Sequence, residues 1–198
     1  MEAGQTQSAR RQNVMRKLVF SANISLDGFA DHTFAVADDE LHDFFTGLLR
    51  NTGIELFGRV TYQMMADYWP HAHDDPAASR STLNFADKFN SIPKIVFSGT
   101  LEKAEWNNTT LVSSNALEYV ARLKETEGED IYIGGIKLAG SFMSHGLIDE
   151  YWLLVHPVVA GKGRRLFENL NEKLTLRLVE SKVFKSGVVA LHYVSVRG

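Results

Sequence analysis

Along most of this chain, short apolar runs take turns with stretches of helical period, and after Gly146 only strand-like runs follow. The runs KLVFSANIS, IELF, KIVFSGT, TTLVSS and DIYI are short and closed by glycine, serine or asparagine, as buried strands are punctuated. A strand followed by a helix and then by another strand of the same sheet has to cross over and return parallel. The tail, EYWLLVHPVVA, KLTLRLVESKVF and GVVALHYVSV, has no helix to carry such a crossover. Its last two runs alternate apolar and polar residues around Lys185-Ser186-Gly187, which predicts an antiparallel hairpin. The pattern calls for a three-layer α/β arrangement. It has a central mixed sheet of about eight strands, mostly parallel with an antiparallel C-terminal hairpin, and helices on both faces.

Between the runs, Leu41, Phe44, Phe45 and Leu48 fall at i, i+3, i+4 and i+7, one apolar helix face, and Asp38 or Asp39 stands where an N-cap belongs. A second helical stretch runs up to Phe89. Asn115, with Glu118 three residues on, reads as a capping box opening a helix to about Thr126, its buried stripe being Leu117, Val120 and Ala121. KLAGSFMSHG supplies another helix behind Gly134 and Gly135, and EYWLLVHPVVA reads as one long strand. There is no internal repeat and no low-complexity linker, so residues 16–198 read as a single domain behind a polar tail, residues 1–15.

Composition narrows the partners more than the chemistry. With 198 residues, 44% of them hydrophobic, the chain can bury a substantial core. A net charge of -3 offers no basic footprint, and no nucleic-acid partner is expected. The absence of cysteine excludes disulfides, thiolate metal sites and a cysteine nucleophile, and it fits a cytoplasmic protein. The first residues develop no apolar core of export length, and no apolar run approaches the ~20 residues that span a bilayer. Neither a signal peptide nor a membrane partner is expected.

Ligands of an open α/β sheet sit beyond the carboxyl ends of its strands, and three such ends here share a chemistry. They are Gly58-Arg59-Val60-Thr61, Ser98-Gly99-Thr100 and Gly134-Gly135. Glycine lets backbone N–H groups approach a diphosphate, a following helix offers its positive end, Arg59 a phosphate fork, and Thr61 and Ser98 hydroxyl donors. Taken singly, each glycine also reads as the plain end of a strand.

In order along the chain, SLDGF, LFGRVTYQMM with YWP after it, KIVFSGTL, DIYIGGIKLAGSFMSHGLIDEYWLLVHPVVAGKGRRLF and SGVVALHY resemble the dihydrofolate-reductase-fold family that includes the reductase domain of bacterial riboflavin biosynthesis. The likeness runs from about Lys17 to Val196, and Gly-Arg-x-Thr-Tyr with Ile-Gly-Gly are its most specific pieces. The resemblance implies a dihydrofolate-reductase-like fold with NADPH bound across the sheet. Gly58, Arg59 and Thr61 would meet the diphosphate and 2′-phosphate, and Ser98 and Gly99 would lie near the adenosine. Gly134, Gly135, Ile136, Lys137 and Leu138 would form the turn and helix start under the diphosphate, with Ala22, Phe29 and Ala30 framing the nicotinamide. It further implies a reductase transferring hydride to a small heterocyclic or phosphoribosyl-like substrate, similar to a riboflavin-type 5-amino-6-(5-phosphoribosylamino)uracil reductase. The alternatives are an atypical dihydrofolate reductase and a non-catalytic nucleotide-binding protein.

Departures from the family pattern bear on the substrate. A dihydrofolate reductase keeps an acid at the start of its first helix, where Asp38, Asp39 and Glu40 all stand; the preferred alignment selects Glu40. The threonine on the long late strand is replaced by Val155 beside His156, and a chain without cysteine cannot contain the zinc deaminase half that riboflavin enzymes often carry. Glu40 and Asp27 are the candidate catalytic acids. Each has a plainer reading, Glu40 as a first-turn acid and Asp27 as the turn former beside Gly28. Tyr62, Met65 and Trp69, with His156, are the expected walls of a substrate pocket, although such residues beside a short helix also serve as ordinary core.

Two other motifs are discounted. HAHDD, from His71 to Asp75, lacks a distant third ligand, and no metal is expected. GKGRRL lacks the third glycine of a dinucleotide fingerprint, and its Lys162, Arg164 and Arg165 read as a solvated basic loop. The late strands leave an edge that a twin would cover, so the expected assembly is a homodimer.

Overall fold

A computed structural model describes residues 15–196 apart from 32, 36 and 169, so the tail expected over residues 1–15 lies outside the described residues except for Met15. Among the described residues one sheet holds β1 (Leu18–Ser25), β2 (Thr52–Gly58), β3 (Lys94–Phe97), β4 (Thr109–Val112), β5 (Asp130–Ile133), β6 (Glu150–His156), β7 (Leu176–Val183) and β8 (Val189–Ser195). Their order across it is β4-β3-β2-β5-β1-β6-β8-β7. The six strands from β4 to β6 run parallel, and β8 is antiparallel to both of its neighbours. The expected C-terminal hairpin is present, closed by a bond from the Gly187 N–H to the Phe184 carbonyl. Its second strand is the inner one, so the outermost strand β7 points the same way as the parallel set.

Helices α1 (Asp39–Leu48), α2 (Arg59–Ala66) and α3 (Arg80–Ser91) cover one face, and α4 (Ala116–Lys124) and α5 (Ile136–Ser144) the other. Alternation along β1 divides the two cores. Leu18, Phe20, Ala22 and Ile24 pack with Phe142 and Met143 of α5, while Val19 packs toward α1. Between β2 and α3, Phe57 meets Tyr62, Phe89 and Trp106 at centroid separations of 6.3, 6.2 and 6.1 Å. Truncating a ring buried like that of Phe57 costs roughly 3–5 kcal/mol.

Several local expectations are corrected. β6 stops at His156 and does not reach Ala160, because Pro157 has no N–H to give the ladder and the Val158 N–H turns back to the His156 carbonyl. Gly53 lies inside β2 and not ahead of it; a Cβ there would come within 3.0 Å of Glu129 Cβ, so glycine serves a close approach. The capping box at Asn115 does not form. Asn115 takes a left-handed conformation, φ 58°, its side chain caps nothing, and Glu118 pairs with Arg122 instead. Asp38 does cap α1, accepting the Leu41 N–H at 2.8 Å.

The charged side chain of Lys94 lies wholly inside. Lys94 Nζ donates to the carbonyls of Phe89, Asn90 and Ile92 and stands 4.3 Å from the Trp106 ring. Its sheet neighbour Glu55 is also buried, which pushes the carboxyl pKa up against the opposing pull of the Lys94 charge. No helix among the described residues is long and apolar enough to cross a membrane.

Candidate active site

Parallel register brings the three glycine-bearing strand ends to nearly one level. Phe97 of β3 lies beside Gly58 of β2, and Leu56 of β2 beside Ile133 of β5. Ser98, Arg59 and the Gly134-Gly135 turn therefore leave the sheet from adjacent strands. Helix α2 starts on Gly58 and α5 on Gly135, and neither has a side-chain cap. Their first-turn N–H groups are left to another acceptor, the arrangement that suits an anion. Arg59 and Lys137, in those first turns, are exposed and make no ion pair among the described residues.

The two glycines at the end of β5 have different reasons to be glycine. A Cβ on Gly135 would stand 2.9 Å from Thr61 Oγ1, so the starts of α2 and α5 touch there. A Cβ on Gly134 would meet nothing within 4 Å. The sequence expectation that both leave room for a ligand is thus divided: Gly134 borders open space, whereas Gly135 admits Thr61. A Cβ on neighbouring Gly58 would stand 3.8 Å from Leu138 Cβ, so four of the expected cofactor residues, Gly58, Thr61, Gly135 and Leu138, meet at one junction.

Two hollows lie nearby, the first reaching the junction at Leu138. One of about 420 Å³ lies between the start of α4, Asn115 to Glu118, and Leu138, Ser141 and Phe142 of α5. The other, about 200 Å³, lies between Phe97-Ser98-Gly99 and Ser113 to Ala116. They share Asn115 and Ala116. Ser98 Oγ accepts the Thr100 and Leu101 N–H groups and so orders its own turn. Asn115 reads as a cap in the sequence; asparagine's tolerance of left-handed backbone is the signal that would have placed it in a turn lining these hollows.

The loop after β1 is laced to the segment after β6. Phe29 is buried with the Arg165 guanidinium 5.1 Å from its ring, and the Ala30 N–H donates to the Arg164 carbonyl. Exposed Arg165 is therefore pinned as well as solvated, while Ala22 packs into the core beneath α5.

Asp27 accepts the Ser25 hydroxyl and the N–H groups of Ala160 and Gly161. The Ser25 and Ala160 bonds, chiefly, hold its carboxyl down to about 2. Asp27 is an ionised turn former with no proton to give at neutral pH. Glu40 accepts the Lys185 N–H at 3.0 Å and stands 3.7 Å from Lys182 Nζ, so its carboxylate faces the β7–β8 hairpin. The plainer reading of each acid fits these contacts.

The expected pocket walls divide in the same way. Tyr62 is 4% exposed and its hydroxyl accepts the Trp106 N–H, while Met65 and Trp69 pack on the same cluster, the Trp69 Nε1–H donating to Met65 Sδ. Tyr62 is core under α1 and α3, and Met65 and Trp69 are half-buried against that cluster. His156, 1% exposed, ends β6 with Nε2 at 2.9 Å from Asn23 Oδ1 and its ring edge-on to Phe34 at 5.8 Å. Burial holds its pKa below the usual histidine value. Sequence reasoning misses Asn23 and Phe34, because nothing local announces a partner 133 residues away. In the HAHDD run, His73 pairs with Asp87 at 2.7 Å and Asp75 accepts the Tyr68 hydroxyl.

The RibD C-terminal domain family model matches residues 16–190. The uncharacterized protein YyaP of Bacillus subtilis is 32% identical over 182 residues, which is 90% of this chain and 94% of YyaP. Among solved structures, a putative riboflavin biosynthesis protein from Shewanella sp. PV-4 is similar with a TM-score of 0.69 and 21% identity, covering 91% of this chain and 99% of that one. A diaminohydroxyphosphoribosylaminopyrimidine deaminase/5-amino-6-(5-phosphoribosylamino)uracil reductase from Thermotoga maritima gives 0.63 at 16% identity, over 92% of this chain and 57% of its own. Dihydrofolate reductase from Enterococcus faecalis gives 0.60 at 13%, over 90% and 96%. At such identities the structural likeness is one of fold.

Proposed function

Because the chain belongs to the RibD C-terminal domain family and has a dihydrofolate-reductase-like fold, we propose that it is an NADPH-dependent reductase of a small heterocyclic or phosphoribosyl-like compound. The observation that carries this reading is the pair of helices α2 and α5, each opening on a glycine without a side-chain cap and joined through Thr61 and Gly135 at neighbouring strand ends. Bound there, NADPH supplies the hydride.

The chain's own residues hold and orient it. The first-turn N–H groups of Arg59 to Thr61 and of Ile136 to Leu138 donate to phosphate oxygens, the open side of Gly134 admits the diphosphate, and Arg59 and Lys137 neutralise its charge. Arg59 also takes the 2′-phosphate. Ser98 and Gly99 border the adenosine end, and Ala22 with Phe29 and Ala30 borders the nicotinamide. Cytoplasmic location and assembly as a homodimer belong to the same reading, the second copy covering β7, where Leu178, Val179 and Val183 are exposed on the outermost strand.

Titration with NADPH, followed by calorimetry and by tryptophan fluorescence, tests the site; saturable binding is expected, and no heat with NADPH or NADH would sink it. Oxidation of NADPH in a screen of pyrimidine and pterin compounds then tests turnover. A non-catalytic nucleotide-binding protein is the second reading, favoured by Asp27 and Glu40 both being engaged elsewhere. It predicts binding with no oxidation. An atypical dihydrofolate reductase would oxidise NADPH on adding dihydrofolate and lose that rate in Glu40→Gln.

A further inference from the structure

β5 ends at Ile133 opposite Phe20, while β1 continues to Ser25 alongside β6. Beyond Phe20, one edge of β1 has no strand beside it. Asn23 lies on this stretch, one residue past Ala22, and strand alternation turns its side chain to the face that α1 covers. It is half-buried. Its Oδ1 lies 2.9 Å from His156 Nε2, and its Nδ2 has no hydrogen-bond acceptor among the described residues. His156 is too buried to touch a ligand, so any part it plays in binding one is indirect, and Asn23 is the side chain it reaches. Phe34 packs edge-on against its ring, and Asp38, the α1 cap, is a nearby charge.

We propose that Asn23 is the specificity-determining donor of the substrate site and that His156 is its positioning residue: the Nε2–H of His156 occupies Asn23 Oδ1 and leaves Nδ2 to donate to a carbonyl oxygen or ring nitrogen of the bound heterocycle. This rests on the reductase reading and adds a residue to it. An amide alone can present either its oxygen or its nitrogen; a fixed donor behind it removes that choice. A site built to donate then rejects ligands lacking an acceptor at that position, because the amide would be desolvated without return.

Two measurements decide it. In protein labelled with ¹⁵N-imidazole, the His156 signal, identified by its loss in His156→Gln, is expected to show a neutral ring protonated on Nε2 at neutral pH. Protonation on Nδ1 alone, or a cation, would overturn the arrangement. Calorimetry on the NADPH-loaded protein, with uracil, 5-aminouracil and 7,8-dihydrofolate as probes at millimolar concentration, reads the donor. Asn23→Asp keeps the acceptor and the size but loses Nδ2, and should weaken the bound probe by about tenfold with NADPH affinity unchanged. His156→Gln, which still offers an N–H, should bind like the wild type, and His156→Leu should lose as much as Asn23→Asp. If His156→Leu does not fold, the near-isosteric Asn23→Asp and His156→Gln pair still decides. Wild-type protein that binds NADPH but none of the probes, or Asn23→Asp binding like the wild type, would overturn the proposal and leave the cofactor site standing. Failure to bind NADPH would instead remove the reductase reading and this inference with it.

Discussion

Helices α1 and α3 begin on polar caps, Asp38 accepting the Leu41 N–H and Ser79 the Thr82 N–H, whereas α2 and α5 begin on bare glycines. A side-chain cap is worth typically about 1 kcal/mol, and the second pair forgoes it. The contrast extends to charge. The first turn of α1 carries Asp39 and Glu40, which suit the positive end of a helix dipole; α2 and α5 have no first-turn acid and carry Arg59 and Lys137 there. The first pair is finished for the free protein. The second is left unsatisfied in the way an arriving anion would satisfy, so stability has been withheld where three strand ends meet.

The largest expected effect tests whether the two bare starts form one unit. Gly135→Val forces a carbon against Thr61 and should cost roughly 1–3 kcal/mol in stability and abolish measurable NADPH binding. Gly134→Ala meets no protein atom, so its melting temperature should stay within about a degree of wild type while NADPH affinity falls. Adding Thr61→Ala to Gly135→Ala should restore the melting temperature; if it does not, the contact is not what demands glycine.

Next come the cations. Arg59→Ala and Lys137→Ala should each weaken NADPH by about tenfold, and Arg59→Ala should weaken NADH less than NADPH, because NADH has the diphosphate but not the 2′-phosphate. Neither should lower the melting temperature, since each removes a charge that opposes its own helix dipole. Equal affinities in calorimetry would break the comparison.

Smaller and opposite in kind is the loss of a finished cap. Asp38→Ala or Ser79→Ala should cost about 1 kcal/mol, a fall of about 2–4 °C in a thermal melt of a domain this size, with NADPH binding untouched. The smallest change is expected at Asn115, the uncapped start of α4. Asn115→Gly suits a left-handed backbone and should leave the melt unchanged or raise it by about a degree.

Where information is local, the chain is legible. Glycine and serine punctuation with a change of period locates the eight described strands and the hairpin turn at Lys185-Ser186-Gly187, and narrows the cap of α1 to Asp38 or Asp39. The three glycine-bearing strand ends are legible as well, because each carries its own turn chemistry. What escapes depends on pairings between distant segments. Which hairpin strand lies inward is decided by β6 pairing with β8, which no turn signal encodes. The contact that requires glycine at 135 comes from Thr61 on another helix. Glu40 shows a first-turn acid in the sequence and nothing of its acceptor role toward the Lys185 N–H, 145 residues on. Asn115 is a different failure: one residue type serves two local conformations, and the sequence favours the wrong one.

The tie from Glu40 to Lys185 and Lys182 fastens the opening turn of α1 to the tip of the last hairpin. A load applied to β7 by a neighbouring subunit would be transmitted through that strut to the segment carrying Phe34 and Asp38, and from there to the imidazole at the end of β6. Quaternary contact and the alignment of a bound molecule would then share one mechanical linkage, although they lie on different parts of the surface.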